Sequence, residues 1–247
     1  MSIALLVLCL GLLMVAVERI TPDRNWPSVP NWWPRAIAAT SFQAASAYLA
    51  GVAYDGWLLR HRPWSADGLG TIGGAIVGYL AITFVYYFWH RARHEVHFLW
   101  RWLHQLHHSP QRIEVITSFY KHPFEIALNG VLSSAILYLG VGVGPEAAAL
   151  AITATGVAEL FYHWNVRTPY WLGFIIQRPE SHCVHHQDGL HRYNYADIPL
   201  WDMLGGTFRN PRRWEERCGF GPEGEHRLAD LLLGRDVAAP SANRERG

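Results

Sequence analysis

The sequence predicts an all-α integral membrane protein, a helical bundle of about four to five spans carrying a cytosolic, histidine-rich helical cap. Three observations predict it. Of 247 residues, 50% are hydrophobic and only 17% are charged, where soluble domains carry about 25% charged residues. Long apolar runs of near-spanning length recur along the chain. The 12 tryptophans and 11 tyrosines suit extended water–lipid boundaries, where amphipathic rings settle.

The elements follow in order. Ser2 to Val17 is nearly uncharged and has neither a basic leader nor a small-residue exit, so it reads as a membrane helix near the short limit for spanning, rather than a cleaved signal. Thr21 to Pro34 is a Pro- and Trp-rich interfacial loop with Trp26, Trp32 and Trp33. Ala36 to Leu59 is a second span interrupted by Gln43 and Asp55, and Leu69 to Trp89 is a third, flanked by Arg62-Pro63 and Arg91. Glu125 to Val143 and Pro145 to Tyr162 form an apolar pair joined by a Gly-Val-Gly-Pro turn. From about Arg167 onward the chain is polar and Pro/Gly-punctuated, a water-facing cap, with a frayed final dozen residues. The chain thus reads as a single membrane domain, 1–247, with two N-terminal helices in 1–60, a catalytic region in 69–208 and a cytosolic tail in 209–247.

Charge placement orients the bundle. If Trp89, Glu125 and Tyr162 share the cytoplasmic side, only Arg60 and Arg62 lie in the opposite loops. That is a strong positive-inside bias, and it places every histidine except His61 on one side. In a bacterial cell the membrane would be the inner one. The net charge of +1 gives no bulk field for nucleic acid. Cys9, Cys183 and Cys218 form no CxxC pair and no disulfide framework. Cys183 sits inside a histidine cluster, as a packing residue or a soft ligand.

Histidine is the outlier, with 14 in the chain. Four groups carry the chemistry: His90-x3-His94; His104-x2-His107-His108; His163; and His182-x2-His185-His186. Helical residues three or four apart share a face. His90, His94, His104 and His108 therefore form one stripe if Trp89 to Ser109 is one helix or two with a bend. His107 is off that stripe, so the 107/108 pair reaches two metals or two sides of one. Neutral imidazole suits Fe, Zn, Cu and Ni. Nine imidazoles exceed the needs of one ion and fit two at the usual spacing of about 3.5–4 Å. They exceed a closed tetrahedral zinc site, which favours iron. His94-Glu95-Val96-His97 is not the metalloprotease H-E-x-x-H, because its second histidine comes one residue early; His97 is not counted as a ligand. Two other classes compete. A histidine-rich metal-binding or transport protein would distribute ligands along a path across the membrane. A b-type cytochrome would pair histidines deep in different spans.

The run Tyr86-Tyr87-Phe88-Trp89-His90-Arg91-Ala92-Arg93-His94-Glu95, then Leu99 to Ser109, resembles the fatty acid hydroxylase / sterol desaturase superfamily. So do Tyr162-His163-Trp164-Asn165-Val166-Arg167 and Pro179-Glu180-Ser181-His182-Cys183-Val184-His185-His186, followed by Asn194-Tyr195 and Leu200-Trp201-Asp202. The likeness covers roughly Phe84 to Phe208, plus Leu231-Leu232-Leu233-Gly234. It implies a four-helix membrane base, a cytosolic histidine cap, two iron ions, O2 as co-substrate and a lipid substrate that is hydroxylated or desaturated. Fatty acyl hydroxylases of the family tend to carry a further histidine where this chain has Glu159. That residue is a carboxylate ligand, a partner of a ligand, or a helix residue without a ligand role. Gly205-Gly206-Thr207 and Asn194-Tyr195-Ala196 also depart from the family's usual Phe-Gly-Thr and Asn-Tyr-Gly.

Metal-bound histidines usually donate their outward N–H to a carboxylate or carbonyl. Asp202, Glu95, Glu180, Asn165 and Asn194 are candidates, with Asp202 alternatively a cap. His122 is either a buried partner of this kind or an interfacial cap, and His191 and His226 read as solvated. No G-x-G-x-x-G follows a strand, and three cysteines cannot supply four cluster thiolates. Electrons are therefore expected from a separate protein, a ferredoxin or cytochrome with an NAD(P)H reductase. The lipid and the carbon oxidised are not written in these patterns.

Overall fold

The computed structural model of the chain describes residues 3–238. Most of the frayed C-terminal stretch expected from sequence, 239–247, lies outside the described residues, as does Ser2. Among the described residues the secondary structure is helical; one isolated antiparallel bridge joins Gln187 and Cys218.

Five long helices form the base: α1 (Ile3–Ile20), α2 (Trp32–Arg60), α3 (Asp67–Glu95), α4 (Pro123–Val141) and α5 (Pro145–Tyr162). Each lies within a few residues of an apolar run read from sequence. α2, α3 and α4 are long and apolar enough to cross a membrane. α1 and α5 have 18 residues each; α5 carries Glu146 and Glu159, which dilute its apolar character. Leu5, Leu6, Leu8, Leu12 and Leu13 project outward from α1, while Met14 packs on Val115 and Leu160. Outward leucines along a whole helix suit a lipid surroundings rather than water. α2 is not one regular helix: it passes through a wide turn at Gly51–Asp55 before Gly56–Arg60.

The main contact is α3 against α5. Gly74 and Gly78, one turn apart, face Ala147 and Ala151; a Cβ added at Gly74 would stand 3.0 Å from the Ala147 Cβ. Small residues at one-turn spacing let two backbones approach closely where no hydrophobic gain separates protein from lipid. Leu58, Ile82 and Leu137 fill the adjoining core. α4 turns into α5 at Gly142, whose φ is +79° and whose missing Cβ leaves room for Trp64. The lysine- and arginine-free turn is held by Arg62, which pairs with Asp67 and donates to the Gly142 carbonyl.

The cap begins where α3 ends. Val96 leaves the helical region (φ −97°, ψ 107°), so the chain bends and returns through 97–108, including a wide turn at Trp100–His104. The continuous-helix alternative for Trp89 to Ser109 is thereby set aside in favour of the bent one. Two short helices, α6 (Pro179–His185) and α7 (Pro199–Leu204), each open on proline, whose fixed φ suits a first turn. The cap is less water-facing than its composition implies. Arg178 is 1% exposed. It donates to Thr168, Asn210 and the Pro211 carbonyl and pairs with Glu180. Buried polar side chains are tolerated when satisfied this way.

Candidate metal centre

Nine imidazoles converge at the cap-side end of the bundle. They fall into two groups: His90, His94, His104, His108 and His185 in one, His107, His163, His182 and His186 in the other. Within each group the ring nitrogens or other ligating atoms lie within 4.8 Å of one another. His90 and His94 come from the last turns of α3, His163 from the end of α5, His182, His185 and His186 from α6 and its C-terminal cap, and His104, His107 and His108 from the returning arm. The groups adjoin: the His108 and His186 rings stack at 4.1 Å between centroids.

The tautomers follow from the hydrogen bonds. His90 Nδ1 lies 2.8 Å from the Tyr195 carbonyl, His185 Nδ1 2.7 Å from the Tyr193 carbonyl and His163 Nδ1 2.9 Å from the Glu159 carbonyl. A carbonyl only accepts, so each Nδ1 carries the hydrogen and each Nε2 presents a bare lone pair. His104 Nδ1 similarly donates to the Glu125 carboxylate at 3.1 Å. Two bare nitrogens then face each other, His90 and His104 Nε2 at 2.9 Å; in the other group His163 and His182 Nε2 stand 3.0 Å apart, as do His182 and His186 Nε2, with the His182 and His186 Nδ1 atoms buried and unpartnered. Two lone pairs at that distance repel unless a cation lies between them. Neighbouring imidazole nitrogens on one ion at about 2.1 Å stand about 3.0–3.4 Å apart. The Nε2 atoms of His94 and His185 are buried without any partner, which fits the same use. The donor set therefore suits two transition-metal ions, one with up to five imidazoles and one with four.

Electrostatics agree. Burial holds His104, His107, His108, His182 and His186 well below the ordinary imidazole range, with Arg93 or neighbouring imidazoles adding to it. Burial pushes His163 and His185 down to about 3. A ligand imidazole must be neutral, and these are.

The outlying candidates are placed as follows. Glu159 is outside both groups; its carboxylate pairs with Lys121, and only its backbone carbonyl meets a histidine. His122 caps α4 by accepting from Phe124 N, with Nε2 against the Leu232 carbonyl. Asn165 ties the loop at Arg24. Asn194 bridges Arg209 N and the Ser181 carbonyl. Asp202 accepts from Tyr195 N at 2.8 Å and Ala196 N at 2.9 Å, so it holds the loop whose carbonyl meets His90. Glu95 is exposed and paired with Arg91; Glu180 is paired with Arg178. Cys183 packs on Ile113, Trp214 and Cys218, away from both groups.

Two features escaped the sequence reading. Glu125 is fully buried, paired with Arg93 and beside His104; a carboxylate opening an apolar run was its only signal. His191, read as solvated, instead lies tilted against Trp100, 5.6 Å between ring centroids, with its Nδ1 3.3 Å from His108 Nδ1. Burial pushes it down to about 4. His191, Tyr193 and Asn194 all have positive φ, backbone that non-glycine residues adopt at a cost. That loop aims the Tyr193 and Tyr195 carbonyls at His185 and His90, both in the group of five.

Comparison with known proteins points the same way. The sequence model of the fatty acid hydroxylase family matches residues 75–207. The chain is 28% identical over 130 residues to the sphingolipid C4-hydroxylase of Schizosaccharomyces pombe, covering 51% of this chain and 44% of that one. It is 28% identical over 186 residues to human alkylglycerol monooxygenase, covering 73% and 38% respectively. It is 35% identical over 184 residues to the ornithine lipid hydroxylase of Rhizobium tropici, covering 72% and 53%. The chain thus spans about half or less of the length of the first of these relatives. No solved structure matches it.

Proposed function

The chain belongs to the fatty acid hydroxylase family, and on that premise we propose that it is a membrane-bound, non-haem di-iron oxygenase acting on a lipid. The observation that carries this reading is the division of nine imidazoles into adjoining groups of five and four, each converging with one ring nitrogen per residue within 4.8 Å of the others. In the hydroxylation reading the balance is R–H + O2 + 2 electrons + 2 protons giving R–OH + H2O; removing a second hydrogen instead gives an alkene.

When bound, two irons supply oxidising power against an unactivated C–H bond that no side chain possesses. The chain's own residues do the rest. The carbonyls of Tyr195, Tyr193 and Glu159 fix three rings by holding their Nδ1 hydrogens. Glu125 orients His104, and Arg93 holds Glu125 in place by pairing with it. Asp202 fixes the Tyr195 backbone, one step behind His90. Buried tyrosine and tryptophan rings around the groups exclude water. The imidazoles stand at the arginine-rich end of the bundle, which supports a cytoplasmic placement, and a multi-pass topology of four to five spans. Three cysteines leave electron delivery to a separate donor protein.

The metal-carrier reading is not favoured: its ligands would run along a path, and all nine sit at one end. Metal analysis and optical spectroscopy of the purified protein, with mass spectrometry of lipids incubated with O2 and a reducing system, test the proposal. Two irons per chain without a Soret band, and a lipid gaining one oxygen or losing two hydrogens, are expected. Full activity in His107→Ala or His185→Ala would overturn it.

A further inference from the structure

A cavity of about 330 Å³ opens between α3, α4 and α5 and is lined by His90, His104, His107 and His182, so it faces both imidazole groups. Its wall is not the plain apolar tunnel that an alkyl chain alone would need. At the level of the imidazoles it carries Lys121, Glu159 and Asp197. Glu159 is one helical turn before His163, and the Tyr162 ring, on the same wall as Asp197, lies 4.4 Å from His182.

The charges there do not balance. Lys121 pairs with Glu159, their side chains only 10% and 18% exposed. Among the described residues no cation pairs with Asp197. Two buried carboxyl groups thus face one ammonium, and Asp197 has no ion-pair partner among the described residues to hold it ionised, so a donor from a ligand would be accepted there. Farther from the imidazoles the same wall changes character. Ile152 is 11 residues before His163 and Ile82 eight before His90, about 16 Å and 12 Å along their helices. Ile126, Gly130 and Gly156 also line the cavity. Several polar groups deeper in it are satisfied by one another, as where Tyr86 bonds Ser133 and Trp89 donates to Asn129, while the Gln43 side-chain oxygen stands without a partner. Methylenes laid against Lys121, Glu159 and Asp197 would desolvate charged groups without return, whereas a hydrogen-bond donor would be satisfied there.

We propose that Lys121, Glu159 and Asp197 seat the polar head of the substrate, that this head bears ammonium or hydroxyl donors, and that the oxidised carbon lies within a few bonds of it. The tail then runs between α3, α4 and α5 toward Ile82 and Ile152, into the membrane. This rests on the oxygenase reading and narrows it to lipids oxidised near the head rather than along the chain. The hydroxylation balance is unchanged: one oxygen enters the C–H bond, the other leaves as water, and two electrons and two protons come from the donor system.

The test uses the iron-loaded protein in nanodiscs and three lipids of equal chain length, with amino-alcohol, hydroxyl and methyl-ester heads. Binding is measured without reductant, by displacement of a fluorescent fatty amine; turnover and oxygen position are measured with reductant and O2. The expected result is at least roughly tenfold tighter binding of the amino-alcohol lipid than of the ester, with oxygen within the first few carbons. Asp197→Asn should cut that preference severalfold, chiefly through KM, with both irons retained. Equal binding of the three heads, or oxygen in the distal half of the chain, overturns the proposal. Should no lipid be oxidised although two irons are bound, the oxygenase reading falls, while the binding arm still decides the head site. If Asp197→Asn does not fold, Glu159→Gln read by the same binding arm replaces it.

Discussion

His107 and His108 are consecutive in the chain, yet their rings stand at 90° with centroids 5.5 Å apart, and each enters a different imidazole group. Consecutive helical residues diverge by about 100°, so a short helix lying between two sites serves both. The groups differ in redundancy. Removing His107 leaves three imidazoles of four; removing His108 leaves four of five. His107→Ala is expected to fall toward one tightly held metal per chain, and His108→Ala to keep nearly two with one weakened. Metal analysis after dialysis against graded chelator reads the difference. Equal loss of both metals in both variants would mean that the groups do not act separately.

Glu125 is 0% exposed and meets both Arg93 and His104. Glu125→Gln keeps the shape and can still accept from His104, but it leaves the Arg93 charge uncompensated. Loss of an outer partner of a ligand histidine usually costs about 10–100-fold in metal affinity or activity, and that range is expected. Glu95→Gln, at an exposed residue paired with Arg91, should change neither. Chelator competition on both variants checks the contrast.

The spans were legible because long apolar runs are a direct imprint of the lipid requirement. Their ends shifted by a few residues, as at Trp32 and Trp33, where interfacial aromatics extend α2. The spacing of the histidines foretold which share a face, and the bend at Val96 decided how the two halves of the stripe meet. The partners behind the rings were not legible. Three of them are backbone carbonyls, which every residue has, so no residue type marks them. Asp202 drew notice as a carboxylate beside a histidine cluster, but it grips the Tyr195 amide rather than an imidazole. Glu125 stands 21 residues from His104, and only the return of the chain after Val96 joins them. The charge imbalance at Asp197 required a cavity wall assembled from distant segments.

Burial should make the metal-free protein acid-sensitive. His163 and His185 are pushed down to about 3 and five other imidazoles outside the spanning helices are lowered as well. Unfolded histidines titrate near 6.5. Between about 6.5 and 3 the unfolded chain binds more protons than the folded one, so stability is fully present above 6.5 and falls as pH drops. Asp197 opposes this: burial raises its carboxyl to about 7, so its contribution favours the folded state at low pH and fades as pH rises from about 4 to 7. Burial raises the Asp202 carboxyl as well, in the same sense, and these two carboxyls are outweighed by seven imidazoles. Thermal melts of metal-free protein in detergent from about pH 7 to 4.5 should show Tm falling throughout; a level or rising Tm would contradict the burial argument.

The imidazole groups depend on how α3 and α5 meet, since α3 carries His90 and His94 and α5 leads to His163. At Gly74 an added Cβ would stand 3.0 Å from Ala147 Cβ and 3.3 Å from Val143 Cγ1. Neither neighbour is the tip of a flexible chain, so Gly74→Leu must part the helices. At Gly78 the nearest obstacle is the Leu137 Cδ2, which can rotate away, so Gly78→Ala should be milder. Overpacking typically costs about 1–3 kcal/mol, or roughly 2–12 °C in Tm for a chain of this size. Gly74→Leu is expected in that range, with reduced metal retention although the site lies several turns away. Adding Ala147→Gly returns the lost space and should recover part of both losses. Rescue of Tm without metal retention would show that the crossing stabilises the bundle without setting the spacing of the two groups.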